Sequence, residues 1–330
     1  MANIEIVEYN PEMQKLWDDF VWNSRNGTIF HTQRFLAYHP PGRFRDCSLL
    51  FHKKNRIACV LPGALTTKSE NLIYRSHPGS SYGGPVLAFD TDLRFVIEAL
   101  EIFIYYLSQR GFHSIEMRLP PRVYQRYPSG ELDFALTYLG FKVVNMELST
   151  AIYLNDKKNW WKRFRDDTAR SIRKALKTNN LTVKETDDWA HYWKVLTDVL
   201  QERHGVSPTH SLDEILTLRQ LFPDRIRLFT GYVNGELAAG IVVFVCNSKA
   251  LHTFYFAQKY EYQEFRVLNL LIYKIMEWGH DHGFAYLNLG ISTEDNGKLI
   301  NWGLFRFKEG FGGRGVVRRY YTLNLLENGR

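Results

Sequence analysis

A set of short turn and helix-end signals occurs twice along the chain, in the same order and about 170–180 residues apart, the mark of an internal repeat. Asn55-Arg56-Ile57-Ala58 is answered by Gly235-Glu236-Leu237-Ala238, and Arg110-Gly111-Phe112 by His282-Gly283-Phe284. Leu139-Gly140-Phe141 is answered by Glu309-Gly310-Phe311, and Gly27 by Gly205. Four ordered matches point to two copies of one unit. Apolar spacing between the signals assigns each copy the order strand, helix, antiparallel strands, helix, strand, helix, strand. Strand–helix–strand steps imply parallel crossovers, whereas the hairpins at residues 45–65 and 226–245 are antiparallel. The expected class is therefore α+β, with a mixed sheet flanked by helices in each copy. The boundaries read as 1–154 for the first copy, 155–180 for a basic joining helix and 181–315 for the second copy.

The joining stretch, residues 155–177, holds nine Lys or Arg against three Asp. Arg170, Arg173, Lys174 and Lys177 fall at helical spacing and share one face. Such a stripe suits either a solvated helix or a polyphosphate or RNA backbone, where binding would depend on salt. The whole chain agrees in sign: its formal charge is +7 and its pI near 9.1. That balance favours anionic partners without choosing among nucleic acid, nucleotide phosphates and a membrane surface.

Other classes find no support. The N-terminus, MANIEIVEYN, has acids where a signal peptide needs basic and then apolar residues. No apolar run approaches the roughly 18 residues that span a bilayer. A soluble, cytoplasmic protein without stable membrane insertion is expected. Cys47, Cys59 and Cys246 form no CxxC pair and read as thiols in a reducing compartment. Neither a zinc motif nor a nucleophile elbow nor a Walker loop is present, and His280 and His282 read as a helix end; no metal is expected.

Residues 287–315, LNLGISTEDNGKLINWGLFRFKEGFGGRG, are the richest in signals. Leu287 and Leu289 alternate as a half-buried strand, and Asn296-Gly297 marks a turn. Leu299, Trp302 and Phe305 recur at helical spacing and are expected to face the core. Arg306 and Lys308 then precede Gly310, Gly312, Gly313 and Gly315. A cation beside such a bend suits a carbonyl, phosphate or carboxylate.

The element order, with Tyr138-Leu139-Gly140-Phe141-Lys142 before the closing strand, resembles the GNAT acyltransferase unit. Three further stretches resemble the Fem-type (FemAB) branch, which carries two GNAT units in one chain. They are Tyr82-Gly83-Gly84-Pro85-Val86, Arg170-Ser171-Ile172-Arg173-Lys174-Ala175, and Leu289-Gly290 followed by Asn301-x-Gly303-Leu304-x-x-Phe307-Lys308. The resemblance covers nearly the whole chain. It implies two tandem GNAT-like domains, the last strand, 316–330, returning to the first. It also implies transfer of an aminoacyl or acyl group to an amine of a cell-envelope precursor, such as a peptidoglycan peptide. Aminoacyl-tRNA or acyl-CoA would be the donor substrate, with no bound cofactor.

Residue by residue, the resemblance places Lys308 near the reacting carbonyl. His31, Arg34 and Tyr38 fall in the segment resembling the family's acceptor contacts, and the acceptor site usually lies between the units. Arg266 and Asn269, opening the long helix of the second copy, stand where donor phosphates or the acyl group would bind. Arg170, Arg173 and Lys174 are further donor-phosphate candidates. Tyr255 is taken with Lys308 as catalytic; His252, Glu264 and Asp295 are the other candidates for a base. The sequence departs from the usual CoA motif, Q/R-x-x-G-x-G/A, because Arg266 and Leu268 stand at its glycine positions. Two rival readings remain: an acyl-CoA-dependent N-acyltransferase acting on an amino sugar of a surface polysaccharide or glycolipid, and a non-catalytic phosphate- or RNA-binding protein on the same fold. The oligomeric state is left open.

Overall fold

The computed structural model describes residues 4–326, so residues 1–3 and 327–330 of the terminal assignments lie outside the described residues. The chain forms two compact units, Met1–Glu147 with Val317–Arg330, and Leu148–Val316. Residues 155–180 are part of the second. Both units combine strands and helices, as the α+β class expects, with residues 148–154 in the second unit rather than the first.

In the first unit, Ile4–Glu8, Leu49–Lys53, Arg56–Leu61 and Val86–Leu87 pair antiparallel in that order. A second set runs Arg45–Asp46, Ala64–Lys68, Asn71–Arg75, Ser114–Arg118 and the last strand, Arg314–Asn324. Lys54 and Asn55 both take positive φ, 50° and 63°, the geometry that closes a two-residue hairpin. Ser69 and Glu70 do the same without an Asn or Gly, so that hairpin left little trace in the sequence. The helix Leu93–Ser108 starts where Asp92 accepts from the Phe95 N–H, and it buries Phe95, Val96, Ala99, Leu100 and Phe103.

The second unit has strands in the order Leu181–Thr186, Ile226–Val233, Glu236–Val245, Ala250–Gln258 and Tyr286–Ile291, followed by residues 149–153 of Lys142–Tyr153. The long helix Val267–Asp281 buries Val267, Leu270, Leu271 and Ile275 in its core. Trp189–His204 is stopped by Gly205 at φ 63°. A helix absent from the sequence reading, Leu212–Leu221, is held by a Ser211/Glu214 capping box. Of the repeated signals, Gly111 and Gly283 share positive φ, 74° and 81°, but Gly310 does not answer Gly140 in this way, with φ −55° against 89°.

One feature of this sheet positions the site. Ala250–Gln258 and Tyr286–Ile291 are parallel neighbours, yet they pair only at Ala250↔Tyr286, Leu251↔Leu287 and His252↔Asn288. Beyond that point each strand stays with its other partner. Gln258 remains opposite Ala239, and Ile291 opposite Ser149. The two strands therefore part, leaving a gap between their ends.

Candidate active site

A cavity of about 680 Å³ lies at the free end of Ala250–Gln258, lined there by Phe256, Ala257 and Gln258. The basic helix, Asp166–Leu176, contributes Asp167, Thr168 and Ser171; the long helix begins beside it with Arg266, Leu268 and Asn269. Asn301, Gly303, Leu304 and Arg306 close another side, and Arg203 reaches in from the end of Trp189–His204. Three arginines thus face one aspartate. Asp167 is shared by Arg306 (3.4 Å) and Arg165 (3.7 Å). Arg203 and Arg266 have no acidic partner among the described residues, so the cavity favours an anionic ligand.

Arg266 occupies a left-handed conformation, φ 58° and ψ 37°, immediately before the long helix. The backbone bend of the glycine motif is kept although the glycine is not. The first free N–H groups of a helix attract anions, but here the Leu268 N–H already donates to the Gln258 side chain at 3.1 Å.

Lys308 stands beside this cavity and not in its lining. It is only 1% exposed, on the inner face of the helix Trp302–Glu309, and its Nζ lies 5.9 Å from the Phe256 ring. The ammonium donates to the carbonyls of Gly290 (3.1 Å) and Ile291 (2.6 Å). Successive carbonyls of a regular strand point to opposite sides. Both reach one amine here because the strand is bulged between Asn288 and Ile291, with Gly290 at φ 77°. Burial lowers the Lys308 pKa from 10.5 to about 7. Near neutral pH the group can hold or release a proton, as an acyl-transfer site requires.

The other expected residues divide sharply. Arg266 and Asn269 both line the cavity. Arg170, Arg173 and Lys174 are exposed on the basic helix; Arg173 stacks 5.0 Å from the Trp161 ring. Tyr255 does not reach the cavity. Its hydroxyl engages the His210 N–H (3.1 Å) and Nδ1 (2.8 Å), and its ring packs on Trp193. On a strand, Tyr255 and Phe256 must face opposite ways, and Phe256 has the cavity side.

His31 is a correction to the acceptor set. It is fully buried, its Nδ1 bound to Thr28 and its Nε2 lying 3.2 Å from the Gly83 carbonyl. Burial lowers its pKa to about 4, so it is a neutral structural group. Arg34 is exposed and Tyr38 half-buried against Phe35 and His39, both in the first unit. Asp295 pairs with Lys298 at 3.5 Å on the surface, His252 is buried, and Glu264 is exposed. Leu299 and Trp302 also depart from expectation, being 58% and 71% exposed rather than core. Sequence reasoning missed Arg203, Asp167, Ser171 and Gln258; only Ser171 lies in a quoted motif, where the flanking cations drew attention instead. His280 and His282 bind the carbonyls of Leu154 and Trp278, as a helix end does. No group of residues suited to a metal ion occurs among those described.

Residues 162–308 match the family model described as an acetyltransferase (GNAT) domain. No curated protein matches the chain. Among solved structures, FemX is 12% identical, with 98% of each chain covered and a TM-score of 0.74. The C-terminal domain of a protein from Agrobacterium fabrum named as a lysylphosphatidylglycerol synthetase is 12% identical, covering 96% of this chain and 93% of its own at a TM-score of 0.61. A tandem GNAT protein from the clavulanic acid biosynthesis pathway is 13% identical, covering 98% and 99%, with a TM-score of 0.57. At these identities the structural likenesses establish the fold alone: two tandem GNAT-like units, arranged along the chain as in FemX. The resemblance drawn from the motifs holds at that level, and the second unit carries a GNAT acyltransferase domain.

Proposed function

We propose that the protein is an N-acyltransferase that moves an aminoacyl or acyl group from an anionic donor to an amine of a cell-envelope precursor. The observation that carries this reading is the buried Lys308, held by two carbonyls where the parallel strands part, beside a cavity bearing two arginines with no acidic partner among the described residues. In this reading the donor's phosphates meet Arg203 and Arg266 and its acyl group runs along Phe256 towards Lys308. The cavity volume is within the range of about 300–1,000 Å³ typical of small-molecule sites. The Lys308 ammonium stabilises the oxyanion that forms when the acceptor amine attacks the carbonyl. Its low pKa lets the ammonium give a proton to the leaving oxygen or sulfur as the tetrahedral intermediate collapses, and the neutral Lys308 amine so formed takes up the proton that the acceptor nitrogen loses. The likeness to FemX and to the protein named for lysylphosphatidylglycerol synthesis supports a cell-envelope acceptor.

The test is to supply acyl-CoA and aminoacyl-tRNA separately, with amine acceptors, and follow donor consumption and the melting temperature. Stabilisation and consumption with one donor assign the donor class. Lys308→Ala and the bulkier Lys308→Met should each lower turnover by roughly a hundredfold or more, the usual cost of an oxyanion donor. Unchanged turnover in both would remove Lys308 from the reaction. Tight RNA binding with neither donor consumed would instead favour a binding protein on this fold.

A further inference from the structure

The bulge that turns two carbonyls towards Lys308 has to be held, because a regular strand would present only one of them. Between the pairs Asn288↔Ala151 and Ile291↔Ser149, the strand Tyr286–Ile291 advances three residues while its partner advances two. Gly290 lies in that extra step at φ 77°, where an L-residue is strained. A Cβ on Gly290 would meet nothing closer than His252 Cε1 at 3.8 Å, so the backbone angle and not the space calls for glycine.

Asn288 spans the step. Its Oδ1 accepts from the Gly290 N–H (2.9 Å), two residues on, and from the Ser149 hydroxyl (2.7 Å) on the neighbouring strand. Asn288 is also the last residue of its strand to pair with Ala250–Gln258, opposite His252, and its carbonyl lies 3.4 Å from the Thr253 hydroxyl. One residue thus stands both where the parallel strands part and where the bulge begins. Asn288 and Ser149 are buried, and neither lines the cavity. Cohesion alone does not call for them, since a matched apolar pair can join two strands as well as a buried polar pair does. What the amide adds is a fixed backbone direction at Gly290.

We propose that Asn288, oriented by Ser149, is a positioning residue: it holds the Gly290 and Ile291 carbonyls on the Lys308 amine and so fixes that amine beside Phe256. The inference rests on the role given above to Lys308. Arg306 and Glu309 on its own helix and Asp167 on the basic helix are the charged groups around the amine, with His252 bordering Gly290. None of these sets the Lys308 pKa, which burial alone lowers.

Hydrogen bonds accepted from an ammonium favour the charged form, so loosening the two carbonyls should lower the Lys308 pKa further. The carbon-13 signal of Lys308 Cε in lysine-labelled protein reports this titration without any turnover, and its absence from Lys308→Met identifies it. Asn288→Ala should move the midpoint below that of the parent. Ser149→Ala is the milder change and should move it the same way by less. Asn288→Asp keeps the acceptor and adds a negative charge, so it should move the midpoint up. With the donor that the protein consumes, Asn288→Ala should lower kcat by roughly tenfold or more, as a misplaced group does. The donor KM should stay unchanged, because Arg203 and Arg266 are untouched. The proposal is overturned if Ser149→Ala and Asn288→Ala titrate as the parent does, or if alanine and aspartate at 288 move the midpoint in the same direction. The amide would then serve the fold alone. Unchanged turnover in Lys308→Ala would instead remove Lys308 from the reaction, and the titration would still decide whether Asn288 places its amine.

Discussion

At the scale of single residues, Lys308 makes a prediction independent of any substrate. Its amine titrates near 10.5 in an unfolded chain and about 7 here, because burial disfavours the charge. Between these values the unfolded chain binds more protons than the native one, so this group adds stability as pH rises from 7 towards 10.5. Below pH 7 the full penalty of a buried ammonium is present. Lys308→Met should therefore compare best with the parent at pH 6, and the difference should move in the parent's favour as pH rises towards 10. Paired denaturant titrations at several pH values measure it, and a constant difference would mean that Lys308 keeps its ordinary pKa. Lys308 stood out in the sequence because it closes a quoted motif. The misplacement of His31 and Tyr255 has a physical cause. A histidine or tyrosine has the same appearance in a sequence whether its polar atoms face a ligand or, as here, Thr28 and His210.

At the scale of elements, the start of the long helix sets the anion preference. Arg266 holds a bend that glycine adopts freely, and a left-handed L-residue costs roughly 1–2 kcal/mol. Arg266→Gly should therefore hold or raise the melting temperature. The same change removes one of the cavity's three arginines, so it should weaken binding of an anionic donor by several-fold and flatten its salt dependence. Opposite signs for stability and affinity identify the residue as a binding group placed at some cost to the fold. Calorimetry and a salt titration of donor binding read both; equal affinity in parent and variant would show that Arg266 does not meet the donor. Strong periodicity made the long and basic helices legible. The two-stranded ribbon of Thr293–Glu294 with Leu299–Ile300 was not. Leu299, Trp302 and Phe305 have helical spacing, but the Asn296-Gly297 turn folds Leu299 back onto Glu294, and the helix starts only at Trp302. A three-residue period across a turn is weak evidence, since two antiparallel residues pair as readily as one helical turn forms.

At the scale of the whole molecule, the duplication was legible from its punctuation, but the divergence of its copies was not. In the first unit the corresponding parallel strands, Asn71–Arg75 and Ser114–Arg118, do not part. The Ser76 N–H donates to the Glu116 carbonyl (2.8 Å) and the Gly83 N–H to the Arg118 carbonyl (2.8 Å), while the Arg118 N–H reaches the Ser76 hydroxyl (3.0 Å). The loop holding Tyr82-Gly83-Gly84 thus fills the space that stays open in the second unit. A Cβ on Gly83 would lie 2.2 Å from the Ser76 carbonyl oxygen, so the loop closes only with glycine there. The motif that marks the first copy is therefore a plug. One donor should bind per chain, and titration calorimetry with whichever donor stabilises the protein should return a stoichiometry of one. Gly83→Val should push the loop out of its place against Ser76 and lower the melting temperature. Two equivalent donor sites in the parent would show that the plug opens in solution and that both copies had kept the ancestral pocket.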